Sequence, residues 1–551
     1  MTATPPPYPR TPPAPAATDR RRWWSLVALA GGLSMIVLDG TIVGVALPAI
    51  IADLHLDLTD AQWINSMYAV VFAALLLTSG RLGDRLGRRR LFLTGVTLFA
   101  LASVAAGLAG TATALIAGRA LQGVGGAMVL PATLSTVNAT FRGPERATAF
   151  GIWGAVMAGM AAVGPLLGGW LTTQVTWRWI FFVNVPVAVL VVSLGVWAVV
   201  ETREPDRRPG ADVDGLLTSA IGFGLVVFGL IEGSSAGWWR PTRAFSVGPW
   251  TWSADAPLSI AASALIAGSV FVMLFIVWER HRAGNGRSAL LDVGLFRIAP
   301  FAWGNVTAMA VAVGEFALVF VLPLVLVNAM GLSIMQAGVV LSGMAAGAFL
   351  AGASARHVAA RLGAPQVVLW GLALEVSGTA GCAVLVAASA SPWWVGAALV
   401  WYGVGLGLAS AQLTSTVLAD VPARLSGAAS ATQSTVRQVG AALGSALAGA
   451  MLAARVDEAV SQRLSAIPQL PDSVAAALVK GTGDSGGGMI SALRAQGVHG
   501  RLGDVGPQVV SALSEGFAQA GAAAIWVACA CLALGLVGAV QVVRASRRTA
   551  C

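Results

Sequence analysis

The sequence predicts an all-α polytopic membrane protein of 14 transmembrane helices in a 6 + 2 + 6 arrangement, on three observations. Hydrophobic residues make up 56% of the chain and charged residues 11%, against about 25% charged in soluble globular proteins. Apolar runs long enough to cross a bilayer, about 20 residues each, recur throughout. The basic residues gather in alternate short loops between those runs, the asymmetry that marks a cytoplasmic membrane face.

The runs fall at 25–49, 61–79, 91–110, 113–134, 147–171, 180–200, 213–232, 256–278, 299–328, 335–354, 366–389, 393–414, 428–453 and 521–544. Residues 1–22, proline-rich and ending Asp19-Arg20-Arg21-Arg22, read as a disordered cytoplasmic tail. They are not a cleaved signal, because the apolar run that follows is too long and shows no clear cleavage site. With the amino terminus inside, the tail and cytoplasmic loops hold 24 of the 34 basic residues, and the short outer loops hold only Arg178, Arg240 and Arg243. Both termini are therefore expected in the cytoplasm, with an even number of spans between them. The outer segment 454–520 contains apolar-periodic pieces, Ser473 to Val479 and Val509 to Phe517, interrupted by Gly481 to Gly488. These predict amphipathic helices over the outer mouth or on the membrane surface, with disordered glycine-rich tips.

Several functions are excluded by what the chain lacks. The net charge of +9 is spread over short loops and not gathered on one soluble domain, so no nucleic-acid partner is implied. Cys382, Cys529 and Cys531 sit in apolar runs and Cys551 at the terminus, which gives neither a disulfide framework nor a C-x-x-C metal signature. The four histidines fall in loops without ligand spacing, so no metal site is expected. The sole lysine, in Val479-Lys480-Gly481, does not end a phosphate-binding loop. ATP hydrolysis is thereby ruled out, no enzyme domain is indicated, and no cofactor is expected.

Internal similarity supplies the organisation. Leu121-Gln122-Gly123-Val124-Gly125 aligns with Trp401-Tyr402-Gly403-Val404-Gly405, and Arg85-Leu86-Gly87 with Arg361-Leu362-Gly363. In the second copy Asp84 becomes Ala360 and Arg119 becomes Leu399. Two six-helix halves related by a parallel repeat fit this pattern. The expected division is a tail (1–22), an amino-terminal bundle (23–200), a linker with two extra helices (201–298) and a carboxy-terminal bundle (299–551) that includes segment 454–520. The scaffold repeats and the charges do not, which concentrates proton chemistry in the amino-terminal half.

Six motifs carry a family resemblance. The loop Gly80-Arg-Leu-Gly-Asp-Arg-Leu-Gly-Arg-Arg-Arg90 resembles the G-x-L-a-D-r-x-G-r-[KR] loop between helices 2 and 3 of the major facilitator superfamily. Leu38-Asp39-Gly40-Thr41-Ile42-Val43-Gly44-Val45-Ala46-Leu47-Pro48 resembles the span 1 signature of its fourteen-span drug/proton antiporters of EmrB/QacA type. Arg119-x-x-Gln122-Gly123-x-Gly125 is similar to their span 4 motif, Trp177 to Pro186 to their entry to span 6, and Ser426 to Ser430 with Arg437-Gln438-Val439-Gly440 to their span 13. Gly164-Pro165-Leu166-Leu167-Gly168-Gly169 matches the G-P-x-x-G-G core that marks exporters over importers, although Met160 stands where a glycine is expected and Gly159 lies one residue early. The resemblance implies the major facilitator fold and alternating access in a bacterial cytoplasmic membrane, with a monomer expected.

An ionisable group in mid-span is costly and by default faces a cavity or a partner. With a rise of about 1.5 Å per residue, Asp39 lies about 15 Å and Arg119 about 9 Å from the outer ends of their spans, a difference within an arginine's reach. Asp39 is expected to bind and release the coupling proton, burial opposing and Arg119 favouring the ionised form; the alternative is a permanent ion pair that only fixes helix register. Glu315 in span 9 is the second candidate for protonation or for contact with a cationic substrate. Gln122, Glu232 and Glu315 are assigned to the substrate path, whereas Glu375, in a span expected to be peripheral, reads as structural and Arg437 as snorkelling to the cytoplasmic end. Gly80, Gly83, Asp84, Arg85, Gly87, Arg88 and Arg89 are expected to form a conformational gate whose ion pairs break between states. The function expected is proton-coupled efflux of small amphiphilic drugs or antibiotics. Export of one endogenous metabolite, lipid or self-made antibiotic is the alternative, and a non-transporting membrane sensor a more distant one.

Overall fold

The computed structural model describes residues 19–141, 143–203, 212–247, 250–285, 287, 289–421, 426–468, 470–497 and 502–549. Residues 1–18 of the expected tail lie outside the described residues, whereas Asp19 to Arg22 form the first turn of α1 (Asp19–Leu54). The first bundle continues with α2 (Leu58–Leu86), α3 (Arg88–Gly107), α4 (Ala112–Thr140), α5 (Gly143–Gln174), α6 (Trp179–Phe182) and α7 (Asn184–Ala198). A pair, α8 (Val213–Ala236) and α9 (Ile260–Gly284), follows, joined through a short antiparallel hairpin of β1 (Phe245–Val247) and β2 (Trp250–Trp252). The second bundle comprises α10 (Ala299–Leu324), α11 (Ile334–Leu362), α12 (Ala364–Ala387), α13 (Pro392–Leu418), α14 (Ser426–Leu464) and α17 (Gly506–Thr549), with α15 (Asp472–Asp484) and α16 (Gly488–Gln496) before the last.

Among the described residues, 12 helices are long and apolar enough to cross a membrane, α6 and α7 counting together. In lipid every backbone polar group must be satisfied within the chain, which leaves helices as the economical solution. α2 and α5, of 29 and 32 residues, run among these spans. α2 packs on α4 and α14, and α5 on α1 and α11.

The two bundles meet along three seams, α1 with α10, α2 with α14 and α5 with α11, and α8 closes over the second seam by touching both α2 and α14. Small residues make these approaches close, as in membrane helix packing generally. A Cβ at Gly44 would lie 3.0 Å from the carbonyl oxygen of Val319, and one at Gly338 2.6 Å from that of Pro165. The arginine-rich loop marks one end of the molecule, the basic end. The largest apolar core is continuous across both bundles and includes, toward the other end, Leu47 and Ile50 of α1, Phe320 and Leu324 of α10 and Phe517 of α17. The aromatic core of Phe72, Phe92, Phe99 and Phe141 belongs to the first bundle alone.

α15 and α16 cap that opposite end. The glycine-rich stretch expected to be disordered is an ordered turn: Gly486 and Gly487 take φ of 55° and 87°, a region where side chains are strained. The turn seats itself under Asn328, whose Nδ2 donates to the Gly486 carbonyl at 3.0 Å, while Ser491 Oγ donates to Asn328 Oδ1 at 2.9 Å. Arg494 Nη2 donates to the Ala329 carbonyl at 3.0 Å, binding α16 to the π-helical turn Val325–Ala329 that ends α10.

Gly87 turns the chain between α2 and α3 with φ 116°, and a Cβ there would fall 2.5 Å from the carboxylate of Glu201. Gly87→Ala is expected to cost about 1–3 kcal/mol through backbone strain and that clash, lowering the midpoint of thermal unfolding in detergent. Gly224→Ala, inside α8 with open space around it, should leave the midpoint unchanged or raise it. Equal midpoints for the two variants would show that Gly87 and Glu201 do not constrain each other.

Candidate functional site

α4 presents Arg119 and Gln122 one turn apart on a single face, and that face meets Asp39 of α1. Arg119 Nη1 donates to Asp39 Oδ2 and, at 2.8 Å, to Gln122 Oε1. Gln122 Nε2 donates to Asp39 Oδ1 at 2.9 Å and to Ser103 Oγ of α3 at 2.8 Å. Ser103 also accepts from Asn184 Nδ2 of α7 at 3.3 Å. Arg119 Nε donates to the Ile64 carbonyl of α2 at 3.2 Å, and its guanidinium lies 4.5 Å from the centre of the Tyr68 ring. Asp39 and Gln122 are 0% and Arg119 2% exposed. Both carboxylate oxygens thus accept from charged or amide donors in a closed pocket, the setting in which such bonds are strongest.

The next residues of α1 face α5. Thr41 and Ile42, two and three positions beyond Asp39, are the side chains that a Cβ on Gly164 or Gly168 would strike. On its other side α5 meets α11, where Gly169 lies against Ile334 and Met335 and Pro165 against Gly338. The Gly-Pro helix therefore contacts both the turn that holds Asp39 and the second bundle.

In the second bundle Glu315 of α10 pairs with Arg437 of α14 at 3.9 Å, and the two side chains retain 17% and 32% exposure. Arg437 turns toward the carboxylate instead of following the snorkelling expected from sequence. Glu232 lies apart from this pair and from Asp39: it is buried, its Oε1 accepting from Trp63 Nε1 at 3.0 Å and its Oε2 from Ser235 Oγ at 2.9 Å. It fastens α8 to α2. Gln122, expected on the substrate path, is enclosed in the Asp39 network. A cavity of about 300 Å³ lies elsewhere, among Val70, Phe223, Val226, Met309 and Val439, where α8 and α9 abut the α2–α14 seam.

The arginine-rich loop is tied to the segment after α7. Arg89 donates its backbone N–H to Glu201 Oε1 at 3.1 Å, Arg90 lies 3.8 Å from Glu201 Oε2, and Arg88 donates its N–H to the Thr202 carbonyl at 3.1 Å. Arg89 Nη2 also donates to the Val196 carbonyl, and Arg88 Nη1 to the Ser135 carbonyl at 3.3 Å. A Cβ on Gly83 would approach Leu91 to 3.1 Å and one on Gly80 would touch Pro131, and Arg85 is half-buried beside them. The side chain of Asp84 lies outside the described residues.

Sequence reasoning missed Glu201, which resembles any solvated acid after a span. It also missed a buried charge cluster on the linker helices. Asp212, capping α8, pairs with Arg282 of α9 at 3.2 Å and accepts from Trp278 Nε1 at 2.9 Å, while Glu279 accepts the Leu291 N–H at 2.9 Å. Arg81 of α2 lies in the electrostatic field of both acids. No group of three or more metal-ligating side chains is placed to hold an ion among the described residues.

The sequence profile of the Major Facilitator Superfamily matches residues 29–445. The chain belongs to that superfamily. It is a membrane transporter of small molecules and not an enzyme. Several of its relatives are named as resistance, export or efflux proteins. The tetracenomycin C resistance and export protein of Streptomyces glaucescens is 32% identical over 442 residues, covering 80% of this chain and 77% of that protein. The puromycin resistance protein pur8 of Streptomyces alboniger is 34% identical over 438 residues, covering 77% and 80%. The multidrug efflux pump LfrA of Mycolicibacterium smegmatis is 32% identical over 430 residues, covering 78% and 80%. In fold, the chain resembles a bacterial homologue of the human lysosomal transporter Spinster, captured inward-facing and occupied, with a TM-score of 0.60 at 17% identity over 96% of this chain and 98% of that one.

Removing one member of a buried ion pair strands the other charge, at about 3–5 kcal/mol. Arg119→Met is therefore expected to destabilise the superfamily member strongly in thermal unfolding. Asp39→Asn, which keeps an acceptor for Arg119 and Gln122, should cost clearly less, and Asp39→Asn with Arg119→Met less than the sum of the two. Additive effects would mean that the two side chains do not interact in the folded protein.

Proposed function

We propose that this transporter is a proton-coupled antiporter that exports small amphiphilic drugs or antibiotics across a bacterial cytoplasmic membrane by alternating access. The observation that carries the reading is the sealed Asp39–Arg119–Gln122 network lying directly beneath the α1–α5 contact at Gly164 and Gly168. Proton binding at Asp39 would remove the ionised acceptor that holds Arg119 and Gln122, and the turn that would then relax is the one α5 rests on. Because α5 also packs on α11, that change reaches the other bundle. The named functions of the relatives, resistance and export, support an outward direction.

In this reading α1 to α5, α6 with α7, α8 to α14 and α17 are 14 spans, as in the EmrB/QacA type, with both termini and the arginine-rich loop in the cytoplasm. The contacts between bundles at the capped end then mean closure toward the outside. Ser66 and Ser445 hydrogen-bond across the α2–α14 seam at 3.0 Å, and Gly449 admits Gln62 beside them. Substrate would enter from the basic end and meet the partly exposed Glu315 and Arg437. A dedicated exporter of one compound is the second reading, favoured by the tetracenomycin C relative; accumulation assays with chemically unrelated compounds separate the two.

The test is uptake into everted vesicles. Compounds of the panel should accumulate when an inward-acidic gradient is imposed, and a protonophore should abolish accumulation. Asp39→Asn should eliminate gradient-driven uptake with protein levels unchanged. Undiminished uptake in that variant would remove Asp39 from energy coupling.

A further inference from the structure

Glu375 stands in the middle of α12, 0% exposed, with neither carboxylate oxygen hydrogen-bonded to any described residue. The hydroxyl of Tyr402 on α13, also 0% exposed, is equally without a partner. The two helices are drawn together around these groups: a Cβ on Gly378 would lie 2.8 Å from the Tyr402 backbone, and one on Gly405 2.7 Å from the Glu375 nitrogen. Glu375 feels the charges of Glu315 and Arg437, and the Tyr402 hydroxyl those of Glu375, Glu315 and Arg437. The other titratable groups nearby are Cys382 on α12 itself and Cys529 on α17, whose thiol lies 3.6 Å from the Val376 carbonyl. No cation is bonded to Glu375 among the described residues, so Arg437 sides with Glu315 and leaves the deeper acid uncompensated.

An ionised carboxylate in a dry helical bundle, without hydrogen bond or counter-ion, is strongly disfavoured. The pocket as built suits the neutral acid. Buried acids of this kind are rare in membrane spans because they are costly, and by default they mark proton or substrate pathways. Glu315 supplies the route, since its side chain is not fully buried and it lies within the field of Glu375.

We propose that Glu375 is a second proton-binding carboxyl of the transporter, loaded from the space between the bundles by way of Glu315. A proton taken up by the Glu315 carboxylate passes to Glu375: the O–H bond at Glu315 breaks, one forms at Glu375, and the negative charge returns to Glu315, where Arg437 neutralises it. The Tyr402 hydroxyl is the neighbouring group able to receive or donate the hydrogen bond of the acid as it changes state. The proposal rests on the proton-coupled reading for its role in transport, but proton binding at Glu375 is measurable without it.

The experiment is infrared spectroscopy of the purified protein in lipid nanodiscs as pH is raised, paired with proton-to-substrate ratios in proteoliposomes. The wild-type protein should show a protonated-carboxyl band that vanishes at high pH and is missing from Glu375→Gln. Glu375→Asp should shift that band, which covers the case in which the glutamine variant fails to fold. Glu315→Gln should keep the band while slowing its hydrogen–deuterium exchange. Export by Glu375→Gln or Glu375→Asp should carry fewer protons per molecule than the wild type. A band that survives in Glu375→Gln overturns the proposal, as does a band that never titrates in a variant series with unchanged proton ratios, the signature of a structural acid. If the wild-type protein moves substrate without protons, the coupled-export reading fails, and the titration alone decides whether Glu375 exchanges its proton.

Discussion

A carboxylate closed off from water must find its donors inside the protein, and at Asp39 that requirement organises the first bundle. Its partners Arg119 and Gln122 belong to α4, the groups that orient them, Ser103 and Ile64, to α3 and α2, and the last link, Asn184, to α7. Each bond fixes the rotation of a helix about its own axis, a quantity that apolar packing in lipid leaves weakly specified because every apolar face is equally at home there. The network is thus a register device in the resting protein. The same bonds converge on the one carboxylate of Asp39, so the register of several helices hangs on a single side chain.

Where α1 passes this network it also receives α5, and there glycine matters for a steric reason. At Gly164 and Gly168 the Cβ positions are already occupied by Thr41 and Ile42, so no side chain fits without parting the helices. Pro165 sits between those glycines with its carbonyl directed at Gly338 of α11. One short stretch of α5 therefore reports on α1 through one face and on α11 through the other. Rigid packed surfaces of this kind transmit small shifts because close-packed interfaces do not deform continuously.

The helices were legible because membrane burial obliges the backbone to satisfy itself locally. Several observed helices overrun their apolar runs, α1 by six residues at its start and five at its end, since helical hydrogen bonding continues where hydropathy no longer signals it. Depth was also legible: Asp39 and Arg119, 80 residues apart in sequence, are paired in space because each lies on a regular helix whose rise is known. Rotation about the helix axis was not. Hydropathy placed Glu232 at the right level without showing that it faces Trp63, and did not show that Glu375, on a span expected to be peripheral, is itself fully enclosed. Glu201 and Asp212 were missed because an acid beside a span carries the same local signature whether it is solvated or bonded to a helix end. The turn at Gly486 and Gly487 was read as disorder from composition, whereas its glycines are there for positive φ and for contact with Phe517 and Asn328.

The repeat between the two halves gives this contrast its meaning. At the position of Arg119 the second bundle has Leu399, buried and apolar, so a copy of the Asp39 network cannot be built there. Its charges instead come from α10, α12 and α14, and they differ in state of compensation: the first bundle satisfies its acid from every side, while the second pairs Glu315 loosely and leaves Glu375 unsatisfied. A symmetric scaffold with symmetric charges would respond to a proton in both halves alike and gain no direction from it. Under the proposed proton-coupled reading, unequal charge on a repeated frame would let one half hold its position while the other changes, as rocking of two bundles against each other requires.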